Sequence, residues 1–163
     1  MKVTIRAATD TGRVRSHNED YHATVTEEES PEGVDALLVV ADGMGGHAAG
    51  EVASRITVEG IIRSLDKLSV GSLGLEEHAF EVLLGRVLQE VNQDVWQAAQ
   101  EPNKRGMGTT CTLAVVRDGR LFLAHIGDSR AYLLRDGALR QLSKDHSWVE
   151  DAIDQGIITR VQA

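Results

Sequence analysis

The sequence predicts an α+β domain in which helices pack against antiparallel sheet. Three observations carry that class. Residues 3–8, 21–27 and 34–41 are short runs of strand type separated by polar turns. Residues 47–67 and 76–101 then place apolar side chains at helical spacing. After Pro102 the period returns to that of strands, in the four short runs 109–117, 120–126, 130–135 and 138–142.

Each element has a local reason. Residues 3–8 read as a first strand, followed by a polar loop over 10–20 and a second strand over 21–27. Ser30-Pro31-Glu32-Gly33 is a turn. Residues 34–41 are nearly all apolar, as expected of a central strand covered on both faces, and the run stops at Asp42-Gly43-Met44-Gly45-Gly46. Val52, Ile56, Ile61 and Leu65 mark the buried stripe of the first helix. Phe80, Leu84, Val87, Val91, Val95 and Ala98 mark a stronger one on the second. Asp118-Gly119 and Asp136-Gly137 suit two-residue hairpins with both residues at positive φ. Gly127-Asp128-Ser129 forms a polar corner, and residues 147–156 suit a short helix with Trp148 and Ile153 on one side.

Length and charge bound the function. The 163 residues suit one domain, and 42% of them are apolar. No apolar run approaches the roughly 20 residues of a membrane-spanning helix, and the first residues lack the long apolar stretch of a secretory signal. The one cysteine, Cys111, alternates with Leu113 and Val115 and reads as core filler. A lone cysteine cannot close an internal disulfide, so the expected compartment is reducing, the cytoplasm. A formal charge of −8 argues against nucleic-acid binding, and no membrane contact is expected.

The acidic residues gather at strand ends. Asn18-Glu19-Asp20 leads into the second strand, Asp42-Gly43 closes the apolar one, and Asp128 sits at the polar corner. Hard divalent cations such as Mg²⁺ or Mn²⁺ take oxygen ligands and keep several waters, so a few carboxylates and a carbonyl suffice. Two such ions lower the pKa of a shared water toward neutrality. Each site also has a plain reading: Asp20 can simply end a loop, Asp42-Gly43 is a common turn, and Asp128 can bond its own backbone. Taken alone the pattern divides evenly between the two. Arg15 could grip a phosphate with its two-pronged guanidinium, or be a solvated surface arginine. His47 could donate a proton to a leaving alkoxide, cap the first helix, or face solvent. His125, inside an apolar strand, reads as a packed histidine.

The motifs also resemble those of a known family. Asp10-Thr11-Gly12-Arg13-Val14-Arg15-Ser16-His17-Asn18-Glu19-Asp20 is similar to the first motif of the bacterial metal-dependent (type 2C) serine/threonine protein phosphatases. Asp42-Gly43-Met44-Gly45-Gly46-His47 resembles the second, continued by Gly50-Glu51 and Ala53-Ser54. Gly106-Met107-Gly108-Thr109-Thr110, Gly127-Asp128-Ser129-Arg130 and Leu142-Ser143-Lys144-Asp145-His146-Ser147 resemble three later ones, in the same order. The resemblance implies a single phosphatase-like catalytic domain over residues 1–163, with two antiparallel β-sheets sandwiched between helical layers. It implies a centre of two Mn²⁺ or Mg²⁺ ions with a weaker third. Carried over, Asp42 would bridge the pair, the Gly43 carbonyl would bind one ion, Asp20 the other with Glu19, and Asp128 the third. Arg15 would hold the substrate phosphate, and His47 is similar in position to a proton donor. Thr109 and Thr110 would support the sheet beside the metals. Residues 147–163 resemble the start of the flap beside the site.

The implied function is hydrolysis of phosphoserine and phosphothreonine in phosphorylated proteins, substrates of a serine/threonine kinase. The family pattern continues beyond these motifs with two more metal-binding aspartates that this chain does not contain, and Glu150, Asp151 and Asp154 are poor replacements. The expected domain is therefore incomplete at its C-terminal side, and weak or no activity is expected of these 163 residues alone. The alternative is a non-catalytic fragment or a regulatory module that binds phosphoproteins. A serine hydrolase built on Ser129 fits poorly, because that residue falls between two hairpin strands without a histidine in suitable order.

Overall fold

The computed structural model describes residues 2–26, 30, 33–46, 49–68 and 75–162. The chain order is β1 (Asp20–Thr26), β2 (Ala36–Met44), α1 (Ala49–Lys67), α2 (Glu77–Ala98), β3 (Gly108–Thr109), β4 (Cys111–Arg117), β5 (Arg120–Ile126), β6 (Tyr132–Arg135), β7 (Ala138–Gln141) and α3 (Trp148–Asp154). Helix and antiparallel sheet are both present, as the α+β class requires.

The main sheet runs β1-β2-β4-β5, with β3 pairing the end of β2, and β6-β7 form a separate two-stranded sheet. Every pairing is antiparallel. Both Asp-Gly turns behave as their sequence demands: Asp118 and Gly119 lie at φ 51° and 74°, Asp136 and Gly137 at 51° and 76°.

Alternation along β2 decides where the core sits. Leu37, Val39 and Ala41 are buried, while Val40 between them is 47% exposed. The buried row joins Leu113 and Val115 of β4, Val58, Ile61 and Leu65 of α1, and Phe80, Leu84, Val87 and Val91 of α2. Phe80 meets Phe122 of β5 edge to face, with ring centroids 4.8 Å apart. Both helices thus cover one face of the sheet, and the even-numbered side chains of β2 point to the other.

Four expectations change. Residues 3–8 form no strand, because no described strand runs alongside them to exchange backbone hydrogen bonds. β2 does not stop before Asp42 but continues to Met44, since β1 pairs as far as Asp42 and β3 pairs Gly43 and Met44. Among the described residues that strand is covered on one face, not two. In α3 the apolar contact comes from Ala152, which is buried, whereas Trp148 is 74% exposed. The 30–33 turn lies partly outside the described residues, as do the first two positions of the predicted first helix, His47 and Ala48.

Candidate metal and phosphate site

The open end of the sheet assembles the site. In the β1-β2 register Asp20 stands directly opposite Asp42. Facing residues of an antiparallel pair hold their Cβ atoms about 5 Å apart on the same side of the sheet. Asp20 and Asp42 therefore converge on the face that the helices leave open. The Asp42 carboxyl is pushed above its ordinary value, first by partial burial and then by the charge of Asp20 and a hydrogen bond with it; Arg15 opposes this, and Asp128 adds to it. All four groups thus act on one small region.

Arg15 reaches it from the preceding loop. Asn18 Nδ2 donates to Thr9 Oγ1 at 2.7 Å, closing the loop at its neck, and Asn18 Oδ1 accepts from the Asp20 N–H at 3.0 Å. The Gly12 N–H donates to Asp10 Oδ1 at 2.7 Å. The Arg15 guanidinium extends outward, 67% exposed, with one Nη1 contact to Glu19 Oε2 at 3.4 Å. A loosely held, exposed guanidinium keeps most of its donors available to an anion.

Glu19 is one residue out of phase with Asp20, so its carboxylate turns toward the start of α1 instead of joining the aspartate pair. A Cβ at Gly50 would lie 2.5 Å from Glu19 Oε1, and one at Gly43 would lie 2.1 Å from the Gly50 carbonyl oxygen. Glycine is therefore required at both positions for the two segments to touch. The Glu19 carbonyl accepts from the Ser54 hydroxyl at 2.6 Å and the Gly43 N–H at 3.1 Å. Its Oε1 is buried with no hydrogen-bond partner. An orphaned, buried carboxylate oxygen beside Gly50 has the chemistry of a ligand for a hard cation.

The remaining sequence candidates are distributed as follows. Asp128 is exposed at the corner after β5, near enough for its charge to act on Asp42. His47 lies outside the described residues. Among the described residues no group of three or more His, Cys, Asp or Glu side chains encloses an ion by itself. Two facing carboxylates and a nearby carbonyl nonetheless fit a hard divalent ion that retains most of its waters. Sequence reasoning did not single out Gly50 and Ser54 as the supports of Glu19; the signal was their place in the second motif. It also missed Arg130 and Asp145, whose guanidinium and carboxylate meet through three hydrogen bonds of 2.6 to 3.0 Å.

The open end of this antiparallel sheet thus carries a facing carboxylate pair whose region an arginine also acts on. Residues 11–152 match the Protein phosphatase 2C family, and the chain belongs to it. It is 39% identical over 156 residues to the serine/threonine phosphatase stp of Listeria monocytogenes, covering 95% of this chain and 59% of that protein. Among solved structures it is similar to the S. agalactiae serine/threonine phosphatase, with a TM-score of 0.83 and 30% identity over 95% of this chain and 61% of that one. The catalytic domain of the serine threonine protein phosphatase PstP, solved in complex with two manganese ions, matches with a TM-score of 0.69 and 40% identity over 93% of this chain and 60% of that one. The chain spans about three fifths of the length of each of these relatives.

Proposed function

We propose that the protein carrying this chain is a metal-dependent phosphatase that hydrolyses phosphoserine and phosphothreonine in other proteins. The observation that carries the reading is the facing of Asp20 and Asp42 at the open sheet end, with Arg15 beside them. Asp42 and Asp20, with the Gly43 carbonyl, would hold two Mn²⁺ or Mg²⁺ ions; Glu19 would contribute through its unpartnered oxygen, and Asp128 would hold a third. Bound there, such ions acidify water and withdraw charge from phosphoryl oxygens.

The chain's own groups would do the rest. Arg15 would accept the phosphate dianion from the solvent side and align it with its parallel N–H pairs. The two facing carboxylates repel each other without a cation, and a divalent ion held between them would relieve that repulsion. His47 remains the candidate to protonate the departing serine or threonine oxygen. Substrates would be proteins phosphorylated by a serine/threonine kinase, met in the cytoplasm. Among the described residues no helix is long and apolar enough to cross a membrane.

The test is hydrolysis of a phosphothreonine peptide by the full-length protein. Turnover should require Mn²⁺ or Mg²⁺ and disappear with EDTA or in Asp42→Ala. Undiminished turnover in chelator would overturn the reading.

A further inference from the structure

We infer that the hydroxyls of Thr110 and Ser129 form a bridge that fixes Asp128 relative to Asp42, making both of them positioning residues for the carboxylates at the open sheet end. This rests on the metal-site reading above.

Register brings these residues together. Asp42 faces Asp20 on one side, and continuing the β2-β4 and β2-β3 pairings places Thr110 opposite it on the other. Continuing the β4-β5 pairing by one residue places Gly127 opposite Thr110. Asp20, Asp42, Thr110 and Gly127 therefore make one row across the sheet end, and Asp128 is the next residue along the chain.

Thr110 sits in the short break between β3 and β4, 8% exposed, and grips Asp42 on both sides of its backbone. Its N–H donates to the Asp42 carbonyl at 2.9 Å, and its Oγ1 accepts from the Asp42 N–H at 3.0 Å. Thr109 Oγ1 adds a second donor to the Asp42 carbonyl at 3.0 Å. Thr110 Oγ1 has capacity for a further hydrogen bond, and it shares one of 2.7 Å with Ser129 Oγ in which either hydroxyl can donate. Gly127 sits at φ 102°, and a Cβ there would come within 2.6 Å of Thr110 Cγ2, so the corner is packed directly onto this threonine.

The far side of the corner is held as well. The Gly127 carbonyl accepts from the His146 N–H at 2.7 Å and contacts His125 Nε2 at 2.9 Å, while Arg130 is forked onto Asp145. Asp128 is thus the one exposed carboxylate of a corner clamped on both flanks. The Thr110–Ser129 bond is the clamp that leads to Asp42. Outer hydrogen-bond partners of this kind typically change metal affinity by about 10- to 100-fold.

The experiment is Mn²⁺ titration by calorimetry on the full-length protein, comparing wild type with Ser129→Ala, Thr110→Val, Thr110→Ser, Asp128→Asn and the Ser129→Ala/Asp128→Asn pair. Ser129→Ala and Thr110→Val are expected to weaken the weaker class of Mn²⁺ sites by about tenfold, the lower end of that range. Thr110→Ser, which keeps the hydroxyl, should bind like wild type. Ser129→Ala should cost nothing further once Asp128 is Asn, because the bridge acts through that carboxylate. Unchanged binding in Ser129→Ala, or an equal loss with and without Asp128, would overturn the proposal. If Thr110→Val does not fold, the Ser129 comparison still decides. Asp42→Ala separates the two levels: loss of Mn²⁺ there with normal binding in Ser129→Ala removes only the bridge, whereas full binding in Asp42→Ala removes the underlying metal site and the bridge with it.

Discussion

Asp42 shows how much of this site is electrostatic conflict held in place by the backbone. Partial burial and the facing Asp20 raise its carboxyl above the ordinary value of 3.8, so the folded chain disfavours its charge. A raised pKa contributes stability that is fully present below 3.8 and is lost as pH rises through the folded value. At neutral pH without metal, the charged pair is therefore a net cost. Asp42→Asn should raise the Tm measured in EDTA at pH 7, through a stability gain of less than about 1 kcal/mol because the group is largely exposed and screened. The advantage should shrink as pH falls toward 3.8, and Mn²⁺ should reverse the order by stabilising only the wild type. A lower Tm for the asparagine variant in EDTA at pH 7 would contradict the argument. The residue types here were legible: Asp20, Asp42, Arg15 and Asp128 are all brought to one region. The direction of the Glu19 side chain was not legible, because it depends on the contact of its Oε1 with Gly50, 31 residues further along the chain.

The elements follow from periodicity where packing agrees with it. Both long helices form where the apolar stripes lie, since each stripe has a sheet face to cover. Phe80 anchors that contact, fully buried and edge-on to Phe122. Phe80→Ala should cost about 3–5 kcal/mol in urea unfolding, by opening a cavity between α2 and the sheet. A loss below about 1 kcal/mol would mean the helix docks by other contacts. The failures are equally physical. Residues 3–8 have the composition of a strand, but a strand exists only through its partner's hydrogen bonds. Conversely, Asp42 and Gly43 have turn composition yet are strand, because β1 and β3 supply the pairing.

At the scale of the molecule, the described helices α1 and α2 cover one face of the main sheet, and the site lies at an end of the other face. The corner at 127–129 and the segment leading into α3 are joined by Arg130 and Asp145. Asp145 is only 12% exposed, and the Arg130 guanidinium holds its carboxyl below the ordinary 3.8. A lowered pKa contributes stability present above 3.8 and lost as pH falls through the folded value. Asp145→Asn should therefore lower the Tm at pH 7, and the gap should close in acid below pH 3.8 as the wild-type carboxylate takes up its proton. A gap that persists unchanged in acid would assign the loss to packing.

The amino-acid sequence alone determined the α+β class, the two amphipathic helices, the Asp-Gly hairpins and the identity of the acidic corners. These are properties of neighbouring residues: spacing, turn chemistry and motif order. Only the tertiary structure decided that Asp20 and Asp42 face each other, that Gly43 and Gly50 touch, and that Thr110 ties Asp42 to the Asp128 corner. Those relations depend on register between strands far apart in the chain, and register is set by burying one face of the sheet.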